Sequence, residues 1–485
     1  MTAHPPEATN LVAGRPMPGE RYPVVDPGRR SRVVGIAHAA DPDTVDAAVA
    51  SAVAAAPSWA DTALEDRIAA LTSARDGLVA DGAAADWPTL LTSEQGKVRA
   101  ESEFEVGRAP ALVDLFAPLA RAALADERLD DQRGHLEVGH QPVGPVAAIT
   151  PWNWPVSLSL GKVVPALLTG NPVILKPAPN TPLAVTEIVG ALARRLPPGV
   201  VGLLHGGAEV GSQLVADPRI RKVVFTGSTA NGAKVYAAAG GTIKNLTLEL
   251  GGNDPAVLLP DVELTEPVLR SLLAATFVTS GQVCWAIKRM YLPRARYGEF
   301  VTAFAELVDL LVLGHGLDPD ATIGPVNNQA QLAVVDGLVE AARRDGATVR
   351  PLGRRTGDAD PSVGNYYPPT LVTELGNDAA LVSGEQFGPA LPVVAYDTVE
   401  DAVRMANATP FGLCASVWSP DRERAFAVAR WLRAGQVYVN AHAGAALDYS
   451  RGFGGIGQSG LGREMGVAGI RAYTEPRVLS DRVLR

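Results

Sequence analysis

A chain of 485 residues is longer than one ordinary hydrophobic core serves, so two to four domains are expected. Apolar residues make up 47% and charged residues 20%, a balance that excludes a fibrous or wholly disordered chain. The 43 basic and 52 acidic side chains leave a formal charge of −9, which argues against a nucleic-acid partner, whose phosphates need a basic face.

Cys284 and Cys414 are the only thiols, too few for a disulfide framework in so large a chain, and a reducing cytoplasm is the expected compartment. The opening Met-Thr-Ala-His-Pro-Pro lacks the basic-then-apolar pattern of a signal peptide. Apolar runs are broken by Gly, Pro or charge before they reach membrane-spanning length, so no membrane partner is expected.

Residues 1–22, rich in Pro, Gly and polar side chains, read as a loose arm. Asp41-Pro42 opens a helix with an alanine-rich body from Val45 to Ala55, since Asp caps and Pro suits the first turn. Further helices are predicted over Leu64–Ala80 and Glu101–Ala123. In the polar stretch 124–142, His135 to His140 reads as one strand of a hairpin.

From Gly144 the pattern changes. Pro145–Thr150 is a short apolar run, Gly161–Leu168 a helix stopped at Gly170, and Val173–Lys176 a strand. Thr181-Pro182 opens a helix through Arg195, ended by Pro197-Pro198-Gly199. Val200–Leu204 and Lys222–Thr226 are two more apolar runs. Such alternation predicts a parallel sheet, which binds ligands at the carboxyl ends of its strands. A second α/β stretch runs from Gly251 to Gln458, with helices over Glu299–Leu313 and Ala330–Arg344 and a turn-rich, exposed segment over Leu352–Tyr366. Gly469 to Arg485 reads as an edge strand able to pair with another subunit.

Four short stretches carry possible chemistry. Cys284 lies in Thr279-Ser-Gly-Gln-Val-Cys-Trp285, where Gly281 allows close backbone approach. A cysteine attacks only as thiolate, so its surroundings must favour the anion; the ordinary alternative is an inert core cysteine. Glu249 lies in Thr247-Leu-Glu-Leu-Gly-Gly-Asn253, where strand alternation sets it opposite Leu248 and Leu250. Desolvated there, it would serve as a general base near neutral pH; the alternative is a solvent-facing strand glutamate. Asn153, in the stiff loop Ile149-Thr-Pro-Trp-Asn-Trp-Pro155, could donate to an oxyanion or merely bond its own turn. Phe225-Thr-Gly-Ser-Thr-Ala-Asn-Gly232 runs from a strand into a helix whose amides could hold a pyrophosphate. It matches neither the G-x-G-x-x-G fingerprint nor a P-loop.

Singly these are ambiguous, but their order is not. Pro151-Trp-Asn-Trp-Pro155, Leu175-Lys-Pro177, Phe225-Thr-Gly-Ser228, Leu248-Glu-Leu-Gly-Gly252, Gly281-Gln-Val-Cys284, Glu385-Gln-Phe-Gly-Pro389 and Ser459-Gly-Leu-Gly-Arg-Glu464 follow one another as in the aldehyde dehydrogenase superfamily. The chain resembles that family from Val24-Val-Asp-Pro27 to Ala472-Tyr-Thr-Glu475.

The resemblance implies an α/β fold in three parts. These are a Rossmann-type cofactor domain (1–118 and 143–249), an α/β catalytic domain (250–457) and a small β oligomerisation or bridging region (119–142 and 458–485). It implies NAD(P)-dependent oxidation of an aldehyde to a carboxylic acid, with no metal, in a homodimer or homotetramer. Cys284 would be the nucleophile, Asn153 and the Cys284 backbone N–H the oxyanion donors, and Glu249 the base that activates the hydrolytic water, with Lys162 in support. Lys176 would meet the adenosine ribose and Ser228, after Gly227, the pyrophosphate. Glu385 would hold the nicotinamide ribose, Phe387 would pack near the ring, and Trp152 and Gly207 would line the groove.

Several positions depart from the family's pattern. Pro179 stands where many NAD-preferring members carry a ribose-binding glutamate, so NAD is expected with NADP also admissible. Gly161 replaces a bulky aromatic of some relatives and would widen the substrate tunnel, flanked by Trp154 and Trp285. The small residues Ala443-Gly-Ala-Ala446 add room, Arg451 could meet a polar tail, and Gly452 replaces a common proline. An apolar or aromatic aldehyde of moderate size is expected. A non-catalytic binding protein would not need Cys284, Glu249 and Asn153 together. A cysteine hydrolase would need a histidine beside the thiol, and none shares its motif.

Overall fold

The computed structural model of the protein describes residues 5–82 and 85–483. Helix α1 (Pro42–Asp61) starts where its signals lie: the Asp41 carboxylate accepts the Thr44 amide at 2.7 Å, and Pro42 occupies the first turn. After it come α2 (Leu64–Gly82) and an unforeseen α3 (Trp87–Gln95), capped by Asp86 and stopped by Gly96 at φ 101°. The single helix expected over 101–123 is two, α4 (Arg99–Arg108) and α5 (Ala111–Ala123). Pro110 has no N–H to donate to Val106, and the chain turns there.

Next, α6 (Pro155–Leu168) begins at Pro155 rather than Gly161, with proline again in the first turn. Then come α7 (Leu183–Ala193), an unforeseen α8 (Ala208–Ala216) and α9 (Thr229–Ala239). The helix expected over 299–313 spans Tyr297–Val308, because Val312–Leu313 leaves it to pair with Arg354–Arg355.

Two large sheets carry the molecule. The first has five parallel strands in the spatial order Asn245–Glu249, Lys222–Thr226, Val146–Ile149, Val173–Lys176, Val201–Leu203. The chain starts in the middle, runs out to Val201–Leu203, then returns to the other side of Val146–Ile149. That order makes the gap between Val146–Ile149 and Lys222–Thr226 a topological switch point, where a Rossmann-type sheet opens a crevice. These strands are buried on both faces and so read as continuous apolar runs.

The N-terminal stretch is not the loose arm its composition suggests. Asn10–Val12 adds antiparallel to Val201–Leu203, Arg15–Met17 folds back on it, and Glu20–Asp26 pairs with Arg29–Ala39. Buried Asn10 holds this edge by donating to the His38 carbonyl at 3.0 Å and accepting the His205 amide at 2.9 Å. An open sheet edge recruits such a segment whatever its polarity. Residues 1–4 of the expected arm lie outside the described residues.

The second sheet orders its strands as 348–351, 370–373, 390–396, 287–293, 254–258, 414–418 and 436–439, parallel except at the first pair. A third, three-stranded sheet sets Gly134–Pro142 between Glu127–Asp131 and Thr474–Ser480. Both of its edges, Glu127–Asp131 and Thr474–Ser480, are largely exposed.

Two buried carboxylates from the α3–α4 stretch lock helices of the first unit. Glu94 accepts the Leu183 and Ala184 amides at the start of α7, each at 2.8 Å. Glu105 accepts the Val156 and Ser157 amides at the start of α6, at 2.8 and 3.0 Å, and pairs with fully buried Lys97 at 2.6 Å. An anion at a helix start meets otherwise unpaired N–H groups and the positive end of the dipole. Glu105→Ala leaves the Lys97 ammonium buried without its partner, and the expected loss is about 3–5 kcal/mol in chemical unfolding. A loss below about 1 kcal/mol, as for a surface pair, would contradict this account.

Candidate active site

A cavity of about 570 Å³ opens at the switch point. The residues expected to bind the cofactor all border it: Trp152, Lys176, Gly207, Gly227, Ser228, Glu385 and Phe387. So do Asn153 and Cys284. The stretch runs from strand into helix as expected; Ser228 caps α9 by accepting the Asn231 amide at 3.3 Å and borders the cavity.

Lys176 ends its strand inside the cavity, and burial brings its ammonium down to about 8, against the pull of Glu209. Pro179 and Lys234 border the same end, and Glu385 is the only carboxylate among the described lining residues. At the other end the Trp152 and Phe387 rings meet edge to face, 5.5 Å between centroids. Glu385 accepts the Gly252 amide at 2.9 Å, and burial raises its carboxyl to about 7. A Cβ at Gly251 would lie 2.4 Å from Glu385 Oε2, which is why the chain there carries glycine. A helix start, a buried ammonium and a deep groove at a switch point fit a dinucleotide.

The loop ahead of Cys284 is strained. Thr279, Ser280 and Gly281 have φ of 50°, 58° and 71°, three consecutive left-handed residues. Cross-links hold them. The Thr279 amide donates to Glu101 Oε1 of α4 at 2.6 Å, and Ser280 Oγ donates to the Gly324 carbonyl at 2.7 Å. Lys288 Nζ donates to the Gly281 and Val283 carbonyls at 2.5 and 2.8 Å. Asn153 Nδ2 donates to the Gln282 carbonyl at 2.9 Å, which uses one of its two N–H groups.

Cys284 does not sit in the anion-favouring setting expected for it. Burial pushes the thiol up, and the carboxylates of Asp254, Glu249 and Glu385 push it further; Lys288 alone opposes them. Lys288 is itself brought down to about 8 by burial, against the pull of Glu385 and Asp254. Burial and these carboxylates both favour the neutral thiol over the thiolate.

Glu249 ends the strand Asn245–Glu249, with Leu248 and Leu250 in the apolar core as the alternation required. Its carboxylate is buried with no hydrogen-bond partner among the described residues. Desolvation raises its pKa well above the usual range; Glu464 adds to this, and Lys162 and Arg463 oppose it. The turn at Gly454 closes on it, since a Cβ there would stand 2.5 Å from Oε1. Lys162 is tied to Glu464 at 2.5 Å, so it supports the site from behind.

Trp154 is wedged beneath the Lys97 ammonium, 4.0 Å from the ring centroid, with the Phe104 ring at its edge. The Trp285 carbonyl accepts from His442 Nε2 at 2.8 Å, and its ring packs on Gly444. Gly161 faces open space. Sequence reasoning missed Glu101, Glu105, Asp254, Lys288 and His442. Only the α4 pair left a trace, as acids on one face of a predicted helix.

The aldehyde dehydrogenase family model matches residues 15–479. The mitochondrial succinate-semialdehyde dehydrogenase of Oryza sativa subsp. japonica is 38% identical over 392 residues, 80% of this chain and 72% of that one. A probable NADP(+) succinate-semialdehyde dehydrogenase of Sinorhizobium fredii is 36% identical over 401 residues, 81% and 80% of the two. Among solved structures, an aldehyde dehydrogenase from Brucella melitensis biovar abortus 2308 superposes with a TM-score of 0.92 at 31% identity, over 100% of both chains. The Staphylococcus aureus betaine aldehyde dehydrogenase in complex with NAD+ gives 0.91 at 26% identity, over 98% of this chain and 94% of that one.

A thiol held above its ordinary pKa reacts in proportion to its small thiolate fraction. Alkylation of Cys284 in the cofactor-free protein, followed by mass spectrometry, is therefore expected to accelerate about tenfold per pH unit from pH 7 to 9. A rate that levels off below pH 8 would show a stabilised thiolate instead.

Proposed function

Because the chain belongs to the aldehyde dehydrogenase family and oxidises aldehydes with NAD(P), we propose that Cys284 is its nucleophile and Glu249 the base that frees the acid. One observation carries this reading: Cys284 borders the dinucleotide cavity, and the buried, unpartnered Glu249 carboxylate is close enough to shift it.

The Cys284 thiol gives up its proton to solvent, and the thiolate attacks the aldehyde carbon. The resulting oxyanion takes hydrogen bonds from the second N–H of Asn153 and from the Cys284 backbone N–H, groups already fixed by the Gln282 and Lys288 contacts. A bound oxidised nicotinamide, held by Glu385 and Phe387, would supply the acceptor for the hydride. The acyl group is left as a thioester on Cys284. Glu249 then takes the proton of the water that attacks it, for which a carboxylate of raised basicity is suited. Lys176 and Lys234 serve the adenosine end, Ser228 the pyrophosphate, and Glu385 the nicotinamide ribose.

Trp154, Trp285 and the open space at Gly161 suit an apolar or aromatic aldehyde body. The exposed edge Thr474–Ser480 suits a homodimer or homotetramer. Among the described residues no helix is long and apolar enough to cross a membrane, and we place the enzyme in the cytoplasm.

Glu249→Gln is expected to keep the first-turnover burst of reduced cofactor and to slow steady turnover about 10²- to 10⁴-fold. Equal loss of burst and turnover in stopped-flow would remove Glu249 from the hydrolytic step. Lys176 sets a second expectation. Its ammonium is lost as pH rises through about 8, and a 2′-phosphate needs that charge more than a hydroxyl does. From pH 7 to 9, kcat/KM for NADP should fall relative to that for NAD; parallel profiles would separate Lys176 from the 2′ position.

A further inference from the structure

Resting on the reading of Cys284 as nucleophile, we infer that the aldehyde carries an anionic group at its far end, a carboxylate or sulfonate, and that Arg108 receives it. Glu101, Phe104 and Arg108 recur at i, i+3 and i+7 on α4, so they share one face. Each contacts a residue on a segment next to the site. Glu101 holds the nucleophile loop through the Thr279 amide. Phe104 meets Trp154, the neighbour of the oxyanion donor, edge to face at 6.2 Å. The Arg108 guanidinium lies over the Phe104 ring at 5.2 Å and the Tyr449 ring at 4.7 Å.

Tyr449 belongs to the 441–450 loop, whose Gly444 packs on the Trp285 ring beside the nucleophile. Arg108 therefore bridges α4, which reaches Trp154 next to Asn153, and the 441–450 loop, which reaches Trp285 next to Cys284, and Phe104 beside it is half-exposed. From Glu101 to Arg108 is seven residues, roughly 10 Å along a helix. That is the scale of a one-ring or short-chain aldehyde with a charged end.

The guanidinium is half-buried, and among the described residues no carboxylate or carbonyl is within hydrogen-bond or ion-pair distance of it. Stacking on aromatic rings uses its faces and leaves the in-plane N–H fork free, the geometry that grips a carboxylate or sulfonate bidentately. The nearest acid in the loop sequence, Asp448, is engaged by Ser450 and Arg451.

The test compares matched aldehydes with the intact enzyme: 4-formylbenzoate against 4-methylbenzaldehyde, and succinic semialdehyde against butanal. The native enzyme is expected to favour the charged member of at least one pair. Arg108→Met should lower kcat/KM for that member about 10- to 100-fold, mainly through KM, while its neutral analogue stays within about twofold. Arg108→Lys, which keeps the charge and loses the fork, should fall between. Equal losses on charged and neutral members, or no native preference in either pair, overturns the subsite alone. Absence of cofactor reduction with every aldehyde overturns the catalytic reading and the subsite together.

Discussion

Three acidic side chains from one short stretch, Glu94, Glu101 and Glu105, accept backbone amides they can reach only in the folded protein. Glu94 takes the start of α7, Glu105 the start of α6, and Glu101 the strained loop ahead of Cys284. A carboxylate taken out of water must find donors or neutralise itself. Burial lifts Glu94 to about 8 in spite of its two amides, so these contacts hold groups that water would otherwise claim. Docking of α3 and α4 thus sets the α6 start, and with it Asn153 and Trp154, at the same time as the nucleophile loop. Shape and chemistry share one set of hydrogen bonds.

Around the sulfur the balance of charge runs against ionisation. Asp254, Glu249 and Glu385 face Cys284 with only the Lys288 ammonium in opposition. Such a setting disfavours the thiolate. The same desolvation that silences Cys284 makes Glu249 a stronger base. Desolvation thus shifts both groups toward the neutral form, which weakens the thiol as a nucleophile and strengthens the carboxylate as a base.

Much of this was legible in the chain. Parallel strands with apolar runs, α1 with its Asp-Pro start, and the placement of Glu249 by alternation all follow from local rules, and the structure has them as read. The residues expected to bind the cofactor all line the cavity because their motifs sit at strand ends and helix starts, which short-range signals locate. What was misread has physical causes. The arm before Tyr22 looks polar and loose but is held by an open sheet edge far along the chain. The helix expected through 123 breaks at Pro110, whose missing N–H was visible but outweighed by the apolar pattern.

The sequence by itself determined the parallel α/β plan and the order of the motifs, since these depend on residue type and near neighbours. Only the tertiary structure decided that the surroundings of Cys284 disfavour the thiolate, that Lys288 braces its loop, and that Arg108 lies clamped between Phe104 and Tyr449. Those properties arise from burial and from charges brought together across hundreds of residues. Desolvation is a property of the packed whole, and no local pattern records it.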